Sequence, residues 1–289
     1  MEYDVIIIGA GPAGISAGLY TKRANLNTLV LYKDESSLEK TDKIENYYGF
    51  SKGISGEELY KNGIEQAKNI GVDVKKEEVL KIEMTLEGRY SIKTSELEYK
   101  SKAVILATGN KKNRPKIEGI ERLEGKGISF CAVCDGFFYK NRSVAVLGSG
   151  DYAISETNDL INLVKDITIL TNGQKEPEFR ADNVKIETRS IKKIHGENKV
   201  EQIEFEDGDI LNIEGIFIAQ GVAGSTEFAK KLGVITNKEK IIVNEKMETN
   251  LKGLYACGDC TGGLLQISKA VYEGTVAGLQ AIKYIKMEG

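Results

Sequence analysis

A strand, a glycine-rich turn and a helix occur twice along this chain, in the same order. In the first copy, the apolar run at residues 5–8 is typical of a strand buried on both faces of a parallel sheet. It leads into the turn at residues 9–14 and a helix predicted over 15–24. A second buried strand at 28–32 precedes Asp34, an acid about 20 residues beyond the glycines. This order predicts a dinucleotide-binding unit, because glycines let the backbone approach a pyrophosphate that the helix N-terminus can bind.

The same pattern returns in the middle of the chain. Residues 143–147 form a predicted strand, 148–153 a second glycine turn, 154–164 a helix and 167–170 the next strand. Each copy is followed by a run of short predicted strands. These lie at 90–93, 97–99 and 103–106 after the first copy, and at 202–206, 210–213 and 215–219 after the second. The recurrence indicates a duplication of one architectural unit.

The end of the chain resembles the first copy in style. Residues 253–259 form a strand and turn that lead into an apolar helix predicted over 264–284. We therefore predict an α/β fold with two dinucleotide-binding domains, each a three-layer arrangement of a parallel sheet plus a meander, the second inserted into the first. The predicted boundaries place the first domain at 1–112 and 240–289 and the inserted domain at 113–239. The hinges are predicted at 110–115 and 236–240.

Composition excludes several classes of function. The chain has 289 residues, 41% hydrophobic residues and a net charge of −3, so its charge does not favour nucleic acid or an anionic membrane as a partner. The apolar stretch at residues 5–19 is broken by Gly and Pro, which argues against a signal peptide or membrane span and leads us to expect a cytoplasmic protein. The single histidine, His195, excludes a His-rich metal site. It lies beside Gly196 and is predicted to be a turn residue.

The four cysteines form two pairs with the same spacing. Cys131 and Cys134 have the CxxC spacing that closes a small disulfide ring, and a nearby helix N-terminus can lower a thiol pKa. Asp135 follows directly and is placed to move a proton to or from a thiolate. The alternative is a zinc site completed by Cys257 and Cys260. The turn that carries the second pair argues against zinc, because a dinucleotide backbone needs that space.

The second pair, Cys257 and Cys260, has two interpretations of its own. It is either an auxiliary disulfide or two small buried residues at the end of a strand and the start of a helix. We favour burial, since it is the common fate of free cysteines.

With these motifs in place, the chain resembles the low-molecular-weight thioredoxin reductases. The resemblance covers nearly the whole chain and rests on residues 9–14, 45–47 and 107–109, the CxxC-Asp sequence and the Gly258-Asp259 pair. It implies FAD in the split domain, a redox disulfide in the inserted domain, thioredoxin as substrate and a homodimer. It also implies that the inserted domain rotates, that Cys134 faces the flavin and that Cys131 attacks thioredoxin.

The candidate catalytic residues are Cys131, Cys134 and Asp135, and we predict no metal ligands. The first glycine turn and the resemblance together imply a set of FAD-binding residues in the split domain. These residues are Gly9, Gly11, Pro12, Ala13, Gly14, Asp34, Asn46, Ala107, Thr108, Gly109, Gly258, Asp259, Gln266 and Ile267.

The chain departs from this family at the nicotinamide cofactor. In the family, the inserted glycine turn binds NADPH, and the next strand ends in a His-Arg-Arg sequence that holds the 2′-phosphate. Here residues 171–174 read Thr-Asn-Gly-Gln, with neither clustered cations for a phosphate nor an acid for the ribose of NADH. The bulky Tyr152 stands in the turn, and residues 263–267 lack the family's arginine. These departures argue against NADPH and NADH as cofactors.

A retained flavin site and dithiol without an NADPH signature resemble the clostridial-type ferredoxin-dependent flavin thioredoxin reductases. That resemblance implies reduced ferredoxin as the electron donor. Ferredoxins are acidic, so a basic surface would favour their association. Basic residues cluster near the first predicted hinge, although such a run is more often simply a solvated surface. They are Lys100, Lys102, Lys111, Lys112, Arg114 and Lys116.

The sequence therefore predicts a flavin-dependent disulfide oxidoreductase that passes electrons from ferredoxin through FAD and the CxxC pair to thioredoxin. One alternative is a conventional NADPH-dependent thioredoxin reductase with a divergent phosphate clamp. Another is a flavoprotein redox sensor or binding module whose CxxC pair controls a partner.

Overall fold

The computed structural model of the chain describes residues 1–33, 36–109, 115–221, 224–237 and 240–288. The chain divides into two compact units. Unit 1 contains Met1–Lys111 and Gly224–Gly289, and unit 2 is the inserted segment Lys112–Ala223. The return to unit 1 comes earlier than the predicted boundary at 239/240, because Ser225 is hydrogen-bonded to Thr108 of unit 1.

The elements follow each other along the chain in three segments. The first segment of unit 1 contains β1 (Glu2–Ile8), α1 (Pro12–Arg23), β2 (Thr28–Tyr32), α2 (Gly56–Asn69), β3 (Asp73–Lys76), β4 (Val79–Met84), β5 (Tyr90–Thr94) and β6 (Glu98–Leu106). Unit 2 contains α3 (Ile120–Leu123), β7 (Ile128–Ser129), α4 (Ala132–Asp135), β8 (Ser143–Leu147), α5 (Asp151–Leu160), β9 (Asp166–Leu170), β10 (Val184–Glu187), β11 (Ile191–His195), β12 (Gln202–Phe205), β13 (Ile210–Asn212) and β14 (Gly215–Ile218). The second segment of unit 1 contains α6 (Ser225–Lys231), β15 (Thr236–Asn237), β16 (Lys240–Ile241), β17 (Leu254–Ala256) and α7 (Ile267–Glu288). Short 3₁₀ turns lie at Ser37–Lys40, Gly136–Tyr139 and Gly258–Thr261.

The main sheet of unit 1 has the strand order β3-β2-β1-β6-β5-β4, with β17 paired to β6. Strands β3, β2, β1, β6 and β17 are parallel, whereas β4, β5 and the start of β6 form an antiparallel meander. The run Val5–Ile7 in β1 is fully buried, as expected for a strand covered on both faces. This arrangement brings the carboxyl ends of β1, β6 and β17 to one edge of the sheet.

Helices α1 and α7 pack closely against each other in unit 1. A Cβ atom on Gly274 of α7 would lie 2.0 Å from the Ala13 carbonyl oxygen of α1, so only glycine allows this approach. Helix α1 begins at Pro12, earlier than predicted, because proline is well suited to the first helical position. Helix α7 starts at Ile267, later than the predicted residue 264.

Unit 2 contains a parallel sheet of order β10-β9-β8-β14-β7 and an antiparallel sheet of order β11-β12-β13. The predicted α/β class, with a parallel sheet in each of the two units, is confirmed. Helix α5 runs over Asp151–Leu160 rather than the predicted 154–164. Within the described ranges, no helix is long and apolar enough to span a bilayer.

Several predicted strands differ from the structure. The predicted strands at 97–99 and 103–106 are one strand, β6, whose start pairs with β5 and whose end pairs with β17. The third predicted strand of the second meander is β14, which joins the parallel sheet. The prediction of a turn at His195 is wrong, because His195 is the last residue of β11 and its Nε2 lies 2.7 Å from the Glu204 carboxylate on β12.

Candidate functional site

The first glycine turn joins β1 to α1 and has the shape required for a dinucleotide. Gly9 has φ +113°, and a Cβ atom there would lie 2.4 Å from the Ala107 carbonyl oxygen. A Cβ atom on Gly14 would lie 1.9 Å from the Gly9 carbonyl oxygen. Gly11 differs, because a Cβ atom placed on it would have its nearest neighbour, the Ser36 Oγ atom, at 3.9 Å. The turn is therefore packed on its inner side and open where Gly11 precedes the helix.

The open side of this turn is the N-terminus of α1. Gly11 is the N-cap and has no side chain to satisfy the first backbone N–H groups of the helix. These N–H groups and the helix dipole favour an anion such as a pyrophosphate. Pro12 and Ala13 form the first turn, and Ala13 is buried against α7. The predicted acid Asp34 lies outside the described residues.

The end of β6 lies beside this turn. Thr108 donates from its N–H and its hydroxyl to the Ser225 Oγ atom at 3.1 and 2.8 Å, and the Ser225 N–H donates to the Thr108 Oγ1 atom at 2.7 Å. Ala107 is buried, and Gly109 adopts φ +72°. The predicted residues 107–109 are thus fixed against the start of α6, a contact that the sequence analysis did not anticipate.

Other predicted FAD-binding residues come together from distant parts of unit 1. The Asn46 side-chain amide donates to the Gln266 Oε1 atom at 3.2 Å, although the two residues are 220 positions apart. Ile267 begins α7 directly after Gln266. Gly258 approaches α1, since a Cβ atom on it would lie 2.9 Å from the Ala13 Cβ atom. The structure therefore brings the two segments of unit 1 together around α1 and the first glycine turn.

The turn that carries Gly258 and Asp259 is held by a buried ion pair that sequence reasoning missed. The Lys269 ammonium donates to the carbonyl oxygens of Gly258 and Gly262 at 2.8 and 2.6 Å, and lies 2.9 Å from the Glu273 carboxylate. Glu273 accepts from the Gly258 N–H at 2.8 Å. Burial is the largest cause that raises the pKa of Asp259. Because one pair binds both polar groups of Gly258, this turn is fixed before any ligand arrives.

Cys257 and Cys260 are free and fully buried in the same turn, which confirms the prediction of burial. The Cys260 thiol donates to the Cys257 carbonyl oxygen at 3.2 Å. Burial raises the pKa of the Cys260 thiol to about 12 and the pKa of the Cys257 thiol well above its usual range. Both groups therefore remain protonated at neutral pH and lack the thiolate character that reactive cysteines need.

The other cysteine pair forms a disulfide in unit 2. Cys131 and Cys134 are joined by an S–S bond of 2.04 Å across the first turn of α4. Cys131 is the N-cap of this helix, and its Sγ atom accepts from the Cys134 N–H at 3.2 Å. Within the described ranges, no group of three or more His, Cys, Asp or Glu side chains is arranged to hold a metal ion.

Asp135 follows the disulfide and is oriented by a neighbouring hydroxyl. The Ser129 hydroxyl donates to the Asp135 Oδ2 atom at 2.7 Å, and its Oγ atom accepts from the Cys131 N–H at 3.0 Å. Ser129 thus links the carboxylate to the backbone of the first cysteine. The carboxylate is placed next to the dithiol, where it can hold or release a proton during thiol exchange.

The two cysteine residues of the disulfide differ in exposure. Cys131 is 4% exposed, whereas Cys134 is exposed at the surface. Val133 and the following residues Phe137 and Phe138 are exposed as well, the two phenylalanines at 71% each. Cys134 is therefore the more accessible residue of the oxidised pair.

The second glycine turn, between β8 and α5, differs from the first. The Ser149 hydroxyl donates to the Gln174 Oε1 atom at 2.6 Å, so the turn is linked to the loop that follows β9. Tyr152 is 3% exposed, so its ring is buried on the inner side of α5. The prediction that this bulky side chain obstructs the turn is therefore wrong. This hydrogen bond joins the glycine turn to the loop after the second strand, the two places that bind the pyrophosphate and the ribose in a dinucleotide-binding unit.

One cation near the end of β9, Arg189, is already engaged. The Asn172 side chain accepts from the Ile191 N–H at 2.7 Å, which places residues 188–191 beside this strand end. There, the Arg189 guanidinium lies over the Phe205 ring and contacts three carboxylates. These carboxylates belong to Glu187, Asp207 and Asp209. One guanidinium with three carboxylates leaves a net negative charge, which is unfavourable for a phosphate dianion.

Only part of the predicted basic surface can be placed. Lys100 and Lys116 are exposed, and Lys102 is 3.0 Å from the Asp4 carboxylate. Lys111, Lys112 and Arg114 lie outside the described residues, as do parts of both predicted hinges.

Comparison with known proteins agrees with this architecture. A model of the pyridine nucleotide-disulphide oxidoreductases matches residues 3–274, so the chain belongs to this family. Membership of the family implies an FAD cofactor, and the open first turn with its uncapped helix fits such a dinucleotide.

Within the family, the chain is related to thioredoxin reductases. The thioredoxin reductase of Listeria innocua is 34% identical over 304 residues, which cover 98% of this chain and 94% of the relative. A crystal structure of the atypical thioredoxin reductase TRi from Desulfovibrio vulgaris Hildenborough is 38% identical with a TM-score of 0.89, covering 99% of this chain and 98% of that one. A ferredoxin-flavin thioredoxin reductase from Clostridium acetobutylicum is 33% identical with a TM-score of 0.71, and 99% of each chain is covered.

Proposed function

We propose that the chain is a thioredoxin-disulfide reductase that uses FAD and the Cys131–Cys134 disulfide, with reduced ferredoxin as electron donor. The observation that carries the proposal is the disulfide itself. It is formed at the start of α4, with one exposed sulfur and an oriented carboxylate beside it. The relatives named above as thioredoxin reductases support thioredoxin as the substrate.

The residues of unit 1 supply the flavin site in this proposal. The N-terminus of α1 after Gly11 would hold the pyrophosphate, and Gly9 and Gly14 permit the tight backbone turn before the helix. Thr108 and Asp259 line the same site at the ends of β6 and β17. Bound FAD supplies the capacity to receive electrons singly and deliver them in pairs, which a one-electron donor and a disulfide require.

The exchange with thioredoxin uses the CxxC segment. Reduction of the disulfide takes two electrons and two protons and yields the Cys131 and Cys134 thiols. The exposed Cys134, as a thiolate, attacks one sulfur of the thioredoxin disulfide and forms a mixed disulfide. Cys131 then displaces reduced thioredoxin and restores the internal disulfide. Asp135 moves the proton that accompanies this exchange, and exposed Phe137 and Phe138 offer apolar surface to a protein substrate.

Two contacts support ferredoxin over a nicotinamide donor. The Ser149–Gln174 hydrogen bond crosses the second glycine turn, and Arg189 is bound to three carboxylates instead of being available to a 2′-phosphate. Each lost charge-assisted hydrogen bond to that phosphate weakens binding by about 1.5–3 kcal/mol. Arg180 is exposed and lies 3.5 Å from the Glu176 carboxylate. The second glycine turn and the end of β9 thus combine an internal hydrogen bond with unfavourable charge for a nicotinamide cofactor.

One observation favours NADPH as a second candidate donor. Gly150 precedes α5 as an uncapped N-cap, and a Cβ atom there would meet nothing described within 4 Å. Rotation of the Gln174 side chain would reopen this turn.

A homodimer in the cytoplasm stays a prediction, and light scattering at micromolar concentration is expected to give twice the monomer mass.

The substrate proposal is tested by trapping the mixed disulfide. The C131S variant keeps the exposed Cys134 and is tested with thioredoxin whose second cysteine is replaced by Ser and whose first cysteine carries thionitrobenzoate in a mixed disulfide. The Cys134 thiolate is expected to displace thionitrobenzoate as the leaving group and to form a stable adduct with thioredoxin. The C134S variant is expected to form much less. The C257S/C260S variant, with the disulfide intact, is expected to reduce thioredoxin normally. Absence of any adduct with C131S, together with no thioredoxin turnover by the wild type, would show that thioredoxin is not the substrate.

A further inference from the structure

A buried glutamate lies directly behind the redox disulfide. Glu156 on α5 is 1% exposed, and its Oε2 atom accepts from the Ala132 N–H at 2.8 Å. Ala132 is the residue that follows Cys131, and it is fully buried at the first position of α4. One carboxylate oxygen of α5 therefore contacts the backbone between the two redox cysteines.

The packing of α5 on this segment keeps the carboxylate in place. A Cβ atom on Gly136, just after α4, would lie 2.8 Å from the Leu160 Cδ2 atom, so the two helices are in close contact. Burying a carboxylate is costly unless it is bound by strong hydrogen bonds. An apolar side chain at position 156 would avoid this cost. A carboxylate held here against the cysteine loop therefore points to a role in the chemistry of the pair.

We propose that Glu156 is a positioning residue for the dithiol: it anchors the Cys131–Cys134 loop through the Ala132 amide and places one negative charge beside the reduced pair. The proposal rests on the proposed redox role of this pair. This anchoring keeps the two sulfur atoms close together when the S–S bond is broken, so that the disulfide can form again.

The charge has a predictable chemical effect. Reduction adds two electrons and two protons to the disulfide, and release of one proton then gives the nucleophilic thiolate. A nearby carboxylate opposes this negative charge and keeps the proton on the thiol. The titratable groups on α4, on the 3₁₀ turn after it and on the inner side of α5 are Asp135, Tyr139, Tyr152, Glu156 and Asp159. A variant of Glu156 alone leaves the others unchanged and isolates its contribution.

The test compares E156Q with wild type. Glutamine keeps an oxygen that can accept from the Ala132 N–H but removes the charge. E156M fills the same length and removes both. The matched control is E214Q in the same unit, because Glu214 also accepts from a backbone N–H, that of Ser143 at 3.2 Å. The reduced proteins are alkylated with iodoacetamide over a range of pH, and mass spectrometry identifies the modified cysteine.

The expected result is a lower pH midpoint for alkylation of the Cys131–Cys134 pair in E156Q, by about one pH unit, because one nearby charge typically shifts a pKa by one unit or more. At a pH below the midpoint, the thiolate fraction then rises about tenfold. E156M is expected to shift in the same direction, and E214Q to match wild type. Circular dichroism and thermal unfolding identify which variants are folded.

A folded E156Q or E156M with the wild-type midpoint overturns the proposal, since a purely structural glutamate leaves the thiol chemistry unchanged. These measurements use neither thioredoxin nor ferredoxin. A shifted midpoint in a protein that fails to reduce thioredoxin would therefore contradict the proposed function and leave the role of Glu156 intact.

Discussion

Replacing Gly11 with alanine separates ligand binding from folding at the first glycine turn. The new Cβ atom would lie 3.9 Å from its nearest described neighbour, and Gly11 has φ −71° and ψ −179°, which alanine adopts without strain. We therefore expect the apo-protein's free energy of unfolding to change by less than about 1 kcal/mol, the range of an N-cap change. The methyl group occupies the open side of the turn, where we propose that the pyrophosphate of FAD binds. Loss of one charge-assisted hydrogen bond corresponds to about 1.5–3 kcal/mol, or roughly 10- to 150-fold weaker FAD binding.

The assay removes the flavin and titrates each apo-protein with FAD, following the change in flavin fluorescence. G150A is the matched control, because it places the same methyl group at the N-cap of α5, also without a close neighbour. G150A is expected to bind FAD like wild type. The reasoning is refuted if G11A binds FAD within threefold of wild type, or if G150A weakens FAD binding as much as G11A does.

Two further predictions concern the turn that contains Gly258. Burial raises the pKa of the Cys260 thiol to about 12, so this thiol is protonated at pH 8. Iodoacetamide should therefore modify two cysteines in the folded, reduced protein and all four after unfolding. Rapid modification of Cys257 or Cys260 in the folded protein would contradict their burial. K269M leaves the Glu273 carboxylate buried without its cation, so we expect a loss of about 3–5 kcal/mol in the free energy of unfolding, measured by urea denaturation. The K269M/E273Q double variant should lose less than the sum of the single variants, and additive losses would show that the two side chains are not coupled.

The sequence predicts those parts of the fold that depend on local pattern. The apolar run of β1 and the glycines after it require a buried parallel strand and a tight turn, and the structure contains both. Strands that are short or partly polar are not predicted by such local patterns. Strand β7 has only two residues, Ile128–Ser129, and β11 has two adjacent lysines, Lys192 and Lys193, in its centre. Their pairing depends on partners far away in the chain, which a local pattern does not reveal.

The candidate site also contains some features that a local sequence pattern predicts and others that it does not. The CxxC spacing predicts the Cys131–Cys134 disulfide, since two sulfurs three positions apart can bond across a helix start. The Lys269–Glu273 pair was missed, because its i,i+4 spacing on α7 is equally typical of a solvated helix surface. Glu156 was missed for a similar reason. A glutamate within a polar helix sequence carries no local sign that tertiary packing will bury it.

Anaerobic stopped-flow absorbance of the bound flavin, recorded with each electron donor, distinguishes ferredoxin from NADPH. We predict rapid bleaching by reduced ferredoxin, slower at high salt because exposed charge pairs are screened beyond about 8–10 Å. Ferredoxin should then support reduction of thioredoxin by the wild type but not by C131S or C134S. NADPH at micromolar concentration should bleach the flavin slowly or not at all, since loss of two cationic partners weakens its binding by about two to four decades. Rapid and saturable reduction by micromolar NADPH would contradict the account and make the chain a conventional NADPH-dependent thioredoxin reductase.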